Sequence, residues 1–229
     1  MKLVIFDCDG TLVDSQHMIV AAMDAAFASL GRPSPGRFAT LSIVGLSLRE
    51  AFERLTSPDD ADIPALIEAY KNAFHALRAD PAHTEPLYDG ARMVVEALAA
   101  QGDVMLGIAT GKSQRGVRLV LGHHGIFEHF ATIQTADDAP SKPHPAMIAQ
   151  AMAAVGVGPE ATIMIGDTTF DIDMAVAAGV APIGVAWGYH PAEALHAAGA
   201  LTVLDRFAEL PAALAGIWHP AGQGAIAGP

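Results

Sequence analysis

The chain has 229 residues, 52% of them hydrophobic and 17% charged, a composition that excludes a disordered or collagen-like protein. Its 25 acidic and 13 basic side chains give a formal net charge of −12, which argues against nucleic acid or an anionic membrane as a partner. The single cysteine, Cys8, has no second thiol to pair with, so we expect a reducing compartment and a cytoplasmic location.

Two long stretches lack charged side chains, at 174–192 and 210–229. Proline and glycine interrupt both stretches, so neither is predicted to cross a membrane. The apolar run that precedes Asp7 is too short for a signal peptide. The small, glycine-rich residues 222–229 are expected to be frayed.

Short apolar runs that are rich in branched side chains predict buried parallel strands. Five such runs occur, at 2–7, 103–110, 129–134, 161–167 and 180–187. Helical patterns occur between them, at 90–100, 113–123, 145–155 and 170–178. Strands that alternate with helices of about ten residues predict an α/β fold with a parallel central sheet.

One interval after the first strand breaks this alternation. Residues 14–84 contain no convincing strand, and three segments carry helical patterns, roughly 16–30, 47–56 and 63–79. We therefore predict an all-helical domain, residues 14–84, inserted into a core domain of residues 1–13 and 85–229. The connecting segments near 13–16 and 80–86 are expected to act as hinges.

Polar side chains follow several of the predicted strands, where ligands of an open parallel sheet bind. The candidates are Asp7, Asp9, Thr110, Lys142, Asp167 and Asp171. Four carboxylates at one sheet edge would repel each other, and Mg²⁺ is the simplest remedy because it prefers oxygen ligands. A metal held by acids, with a lysine and a hydroxyl nearby, suits a phosphate group. One carboxylate could attack phosphorus, and a second could protonate the leaving alcohol.

Four segments resemble the motifs of the haloacid dehalogenase superfamily, in the family's order and spacing. They are DCDGTLVDS (7–15), ATGK (109–112), SKP (141–143) and GDTTFD (166–171). The resemblance spans nearly the whole chain. It implies a Rossmann-like core with a helical cap domain inserted after the first strand, which agrees with the insertion predicted from the residues.

The resemblance also implies a role for each candidate acid. Asp7 would be the nucleophile and a Mg²⁺ ligand, and Asp9 would be the general acid/base and would bind the metal through its backbone carbonyl. Asp167 would bind Mg²⁺, and Asp171 would support the metal directly or through water. The presence of Asp9 favours a phosphate monoesterase, because dehalogenases of this superfamily typically lack the second acid.

The phosphoryl group would be bound by Thr110 and Gly111, and Lys142 would hold both Asp7 and the phosphate oxygens. Thr110 and Asp167 could alternatively be N-caps of the helices that follow them.

Three further segments are similar to phosphoglycolate-phosphatase-like proteins: VGLSLRE (44–50), DDAPSKPHP (137–145) and VAWGY (185–189). Arg49 could therefore face a substrate carboxylate. The alternative is an ordinary helix-surface arginine close to Glu50 and Glu53.

The sequence thus predicts a Mg²⁺-dependent phosphatase of small phosphorylated metabolites, with phosphoglycolate as a weak preference. A phosphosugar mutase of the β-phosphoglucomutase type stays open, because it uses the same first motif. A phosphoaccepting regulatory module is a rival of another class, although such modules are about 120 residues long and have no helical insertion.

Overall fold

Six parallel strands form one sheet in the computed structural model, which describes residues 1–219. The strands are β1 (Lys2–Phe6), β2 (Val104–Thr110), β3 (Phe130–Thr135), β4 (Thr162–Gly166), β5 (Ala181–Val185) and β6 (Thr202–Leu204). Their order across the sheet is β3-β2-β1-β4-β5-β6. The predicted α/β, Rossmann-like fold is confirmed. Strand β6 was not predicted, since three residues are too few to show a strand pattern.

The helices cover both faces of the sheet and fill the interval after β1. They are α1 (Gln16–Ser29), α2 (Arg37–Leu41), α3 (Leu48–Leu55), α4 (Ile63–Ala79), α5 (Ala91–Ala99), α6 (Gln114–His123), α7 (Ala146–Val155), α8 (Thr169–Ala178), α9 (Ala192–Ala198) and α10 (Leu210–Trp218). The sequence prediction missed α2, α9 and α10. Within the described residues, every helix is too short or too polar to cross a membrane. The segment 222–229, predicted to be frayed, lies outside the described residues.

Strand β1 lies near the middle of the sheet and is buried on both faces. Leu3 and Ile5 pack into an apolar cluster with residues of α7 and α8, while Val4 and Phe6 pack into a second cluster with residues of α5 and α6. Burial on both faces explains why this strand is a continuous apolar run rather than an alternating one. The central position of β1 brings its carboxyl end between those of β2 and β4.

Residues 14–84, called the helical insert below, contain α1 to α4 and no strand. The insert has its own apolar cluster, which includes Met23, Phe27, Phe52, Ile63 and Leu66. Phe170, in the first turn of α8, packs into the same cluster. The two segments that join the insert to the rest of the chain lie side by side. The backbone N–H of Asp14 donates to the carbonyl of Pro86 at 2.8 Å, and Val13 pairs with Leu87.

Candidate active site

Asp7, Thr110 and Asp167 stand at the carboxyl ends of three adjacent strands. Asp7 follows β1, Thr110 ends β2 and Asp167 follows β4, and all three side chains are buried. The backbone N–H of Asp7 donates to the carbonyl of Ile165 at 2.9 Å, which extends the pairing of β1 and β4 up to the site. The expectation that these strand ends converge is therefore met for this trio.

The Asp7 carboxylate is held from one side only. The ammonium of Lys142 donates to Asp7 Oδ1 at 2.8 Å, whereas Oδ2 is buried and has no hydrogen-bond partner among residues 1–219. Burial raises the pKa of Asp7 from 3.8 to about 6, although the positive charge of Lys142 opposes the rise. An oxygen in this state is free either to bind a cation or to attack an electrophile.

Lys142 joins Asp7 to Asp171. Its ammonium also donates to Asp171 Oδ1 at 2.6 Å, and its side chain is completely buried. Burial acts to lower the pKa of Lys142, but the charges of Asp171 and Asp7 outweigh it and raise the pKa. Asp171 Oδ2 accepts hydrogen bonds from the backbone N–H and the hydroxyl of Thr168, at 3.1 and 2.7 Å. Asp171 is thus both a partner of Lys142 and part of the capping box that begins α8.

Asp167 is fixed by contacts with the first motif and with the loop after β5. Its Oδ1 accepts from the hydroxyl of Thr11 at 2.8 Å, and its Oδ2 accepts from the backbone N–H of Tyr189 at 2.9 Å. Burial raises the pKa of this carboxyl well above its ordinary value, and nearby acids add to the rise. Gly10 and Gly188 pack directly against Asp167, and a Cβ on either glycine would overlap its side chain. Glycine is therefore required at both positions.

Three carboxylates are close enough together to hold one cation. Asp7, Asp167 and Asp171 each offer an oxygen atom, and these oxygens lie within 4.8 Å of one another. Lys142 contacts two of the three carboxylates but brings only one positive charge, and Asp7 Oδ2 has no donor facing it within the described part of the chain. The residues present therefore fit a hard divalent cation bound by oxygen ligands.

The Asp9 carboxylate points into a different set of contacts from the other three acids. Asp9 Oδ1 accepts from the Ser15 hydroxyl at 2.6 Å and from the Lys112 ammonium at 2.8 Å, and Oδ2 accepts from Lys112 at 3.1 Å. Lys112 also donates to Glu85 at 3.1 Å. Sequence reasoning assigned no role to Lys112 or Glu85. The sequence feature that could have indicated a role for Lys112 is its position two residues after Thr110, at the edge of the sheet where ligands bind.

A cavity of about 680 Å³ lies between the sheet edge and the helical insert. Asp7, Asp9, Thr110 and Gly111 line it from the core side. Arg49 lines it from the insert, where its side chain is 61% exposed and lies 3.6 Å from Glu53, one helical turn away. The two interpretations of Arg49 are therefore compatible, and its contact with a ligand stays a prediction.

Neither Thr110 nor Asp167 caps a helix, which was the alternative left open for both. The N-cap of α6 is Ser113, whose hydroxyl accepts from the backbone N–H of Gly116, and the N-cap of α8 is Thr168. Thr110 Oγ1 instead accepts from the backbone N–H of Lys112 at 3.3 Å. Capping therefore does not account for either residue.

Comparison with known proteins shows extensive similarity to phosphatases. The model of the family described as haloacid dehalogenase-like hydrolase matches residues 4–185. The chain is 37% identical over 214 residues to "Probable phosphatase IndB" of Dickeya dadantii, an alignment that covers 91% of each chain. It is 34% identical over 224 residues to a phosphoglycolate phosphatase of Pseudomonas putida, covering 96% of this chain and 81% of that relative. A crystal structure described as "a predicted phosphatase from Clostridium acetobutylicum" matches with a TM-score of 0.83 and 25% identity, covering 93% of this chain and 97% of the other.

Proposed function

The chain belongs to the haloacid dehalogenase-like hydrolase family, and from this we propose that it hydrolyses small phosphate monoesters through a Mg²⁺-dependent reaction with an aspartyl-phosphate on Asp7. Its phosphatase relatives identify it as a hydrolase of phosphate esters. The metal, the covalent intermediate and the substrate are our proposal. The observation that carries it is the buried Asp7 carboxylate, which Lys142 holds through one oxygen while the other has no partner within residues 1–219.

Asp7 is the proposed nucleophile. Its Oδ2 attacks phosphorus, the bond from phosphorus to the ester oxygen breaks, and the alcohol leaves with a proton from Asp9. In the second half of the reaction, Asp9 removes a proton from water, and the water oxygen attacks phosphorus and restores the Asp7 carboxylate. Lys142 keeps Asp7 oriented in both steps, because its ammonium is fixed between Asp7 and Asp171.

The proposed metal ligands are Asp7, Asp167, Asp171 and the backbone carbonyl of Asp9. When bound, Mg²⁺ supplies positive charge to the phosphate oxygens and offsets the charge of the clustered carboxylates. The phosphoryl oxygens would also accept hydrogen bonds from Thr110 and from the loop that begins at Gly111. Removal of the metal with EDTA is therefore expected to stop turnover, and added Mg²⁺ is expected to restore it.

The helical insert is the proposed cap domain, residues 14–84, over a core of residues 1–13 and 85–229. It would exclude water from the site and recognise the leaving group. Phosphoglycolate is the first candidate substrate, supported by the relatives named for that activity and by Arg49 on the insert side of the cavity. The composition of the chain, with one cysteine and a net charge of −12, supports a cytoplasmic enzyme without nucleic-acid or membrane partners.

A panel of phosphorylated metabolites assayed for phosphate release with Mg²⁺ tests the proposal. The Asp7→Asn variant should release none, and the exposed Asp173→Asn variant is the matched control. Retained turnover in Asp7→Asn would reject the aspartyl-phosphate mechanism. Product analysis with a hexose 1-phosphate distinguishes hydrolysis from transfer by a mutase. More than one phosphate released per chain excludes a module that only accepts a phosphoryl group.

A further inference from the structure

Lys112 is the centre of a buried group of charges next to the cavity. Its ammonium has three N–H bonds, and the contacts with Asp9 Oδ1, Asp9 Oδ2 and Glu85 Oε1, at 2.8, 3.1 and 3.1 Å, account for all three. The Lys112 and Glu85 side chains are only 8% and 6% exposed. Lys112 therefore lines the cavity without a donor left over for a ligand.

The contacts hold the two oxygens of Asp9 unequally. Oδ1 accepts two short hydrogen bonds, from Ser15 at 2.6 Å and from Lys112 at 2.8 Å, whereas Oδ2 accepts a single longer one at 3.1 Å. Oδ1 is thus the anchored oxygen. Oδ2 is the oxygen that can carry a proton to or from a reacting group without breaking the anchor.

These contacts also connect Asp9 to both ends of the helical insert. Ser15 lies in the first connecting segment and Glu85 in the second. Glu85 Oε2 accepts from Nε of Arg78 at 2.7 Å, and Arg78 is in the last turn of α4. The side chain of Phe74, one turn earlier in α4, lies under the cations of both Lys112 and Arg78, with 5.1 and 4.9 Å to the ring centroid. The charges alternate in sign from Asp9 to Arg78, so each side chain depends on the next for its partner.

We propose that Lys112 is a positioning residue, which holds Asp9 ready for proton transfer only while the helical insert is seated through Glu85 and Arg78. This inference rests on the proposed function of Asp9 as the general acid/base. A buried ion pair is by itself weak evidence for a contribution to stability. The series of ion pairs from Asp9 to Arg78 lies between the proposed general acid and the two connecting segments, and this position favours a role in the reaction.

The test compares an alkyl and an aryl phosphate. Phosphoglycolate needs a proton on its leaving alcohol, whereas p-nitrophenyl phosphate releases an anion that needs none. The ratio kcat/KM reports the step in which the leaving group departs. A positioned general acid is worth about 10²–10⁴ in rate, so we expect Lys112→Met to lose at least about tenfold on the alkyl ester and less than about threefold on the aryl ester. The control Arg92→Met, which removes a surface ion pair with Glu96 on α5, should leave both values of kcat/KM unchanged.

A double variant tests whether Lys112 acts through Asp9. In the Asp9→Asn background, Lys112→Met should cause little further loss on either ester, since the side chain that it positions is already inactive. Equal losses on both esters, or a full additional loss in the Asp9→Asn background, would overturn the inference. If Lys112→Met does not fold, Ser15→Ala removes the other donor to Asp9 Oδ1 and should show the same contrast between esters.

Arg78→Met tests the connection to the insert. It should reproduce the contrast between esters at a smaller size, and a uniform effect on both would overturn this part. Failure of the proposed function itself would look different. In that case the unaltered protein would hydrolyse neither ester, or the Asp7→Asn variant would still turn over. If the unaltered protein hydrolyses other alkyl phosphates of the panel but not phosphoglycolate, one of those replaces it.

Discussion

Replacing Asp7 with asparagine is expected to stabilise the metal-free protein at neutral pH while it abolishes phosphate release. Burial raises the pKa of Asp7 from 3.8 to about 6, even though the charge of Lys142 opposes the rise. The cost of burying this charge therefore exceeds the benefit of its ion pair. Asparagine has a similar shape and no charge, so the Asp7→Asn variant avoids that cost.

The size and the sign of the effect follow from the raised pKa. Between pH 3.8 and about 6, the folded protein keeps a proton on Asp7 that the unfolded chain has released, so the free energy of unfolding falls as pH rises. The stabilisation is complete below the lower value and is lost above the upper one. At about 1.4 kcal/mol for each pH unit, the loss by neutral pH is about 3 kcal/mol.

Urea unfolding in EDTA, followed by tryptophan fluorescence at about pH 5 and about pH 7.5, measures the part of this loss that falls above pH 5, which is about 1.4 kcal/mol. The unaltered protein should lose stability between the two pH values, and Asp7→Asn should lose less. Added Mg²⁺ should stabilise the unaltered protein more than the variant, because the variant lacks one ligand charge. Asp173→Asn, which alters an exposed acid of α8, should match the unaltered protein. An Asp7→Asn variant that is less stable than the unaltered protein at pH 7.5 in EDTA would refute the reasoning.

Three further substitutions test the seating of the helical insert, its core and the buried lysine. Gly111→Ala would place a Cβ 2.5 Å from the carbonyl oxygen of Leu46 in the insert, so we expect kcat/KM to fall at least about tenfold. For Gly122→Ala in α6, no atom of residues 1–219 outside the backbone of its own helix lies within 4 Å of the added Cβ, so this control should instead stabilise the protein by about 0.5–1 kcal/mol. An equal fall of kcat/KM in the two variants would contradict the contact with Leu46. Phe52→Ala removes a fully buried ring of the insert, and urea unfolding should show a loss of about 3–5 kcal/mol. Lys142→Met leaves two buried carboxylates without their cation, so unfolding at neutral pH in EDTA should show a loss of about 3–5 kcal/mol, and an unchanged midpoint would be the contrary result.

The sequence predicted the sheet and the strand-end residues because both depend on local patterns. A strand buried on both faces is a continuous apolar run, and the residue after it lies at the ligand-binding edge. This reasoning located Asp7, Thr110 and Asp167 without any structure. Strand β6 was missed because its three residues carry no pattern, and its pairing with β5 defines it as a strand.

The surroundings of Asp9 were not predictable in the same way. Lys112 and Glu85 are 27 residues apart, and nothing in either local pattern indicates that they meet. Their contact depends on how the helical insert returns to the core, which is a property of tertiary packing. By contrast, the capping box of Thr168 and Asp171 has a readable spacing, and it explains why Asp171 is oriented towards Lys142.

The central position of β1 has a consequence for synthesis on the ribosome. This strand emerges long before its two neighbours in the sheet, which begin only at Val104 and Thr162. The helical insert lies between β1 and β2 in the sequence, and it can collapse early around its own apolar cluster, because the residues of that cluster are near in sequence. The nascent chain therefore carries an exposed apolar segment for most of its translation, and the acidic pocket is complete only after α8 and the loop that holds Tyr189 have left the exit tunnel.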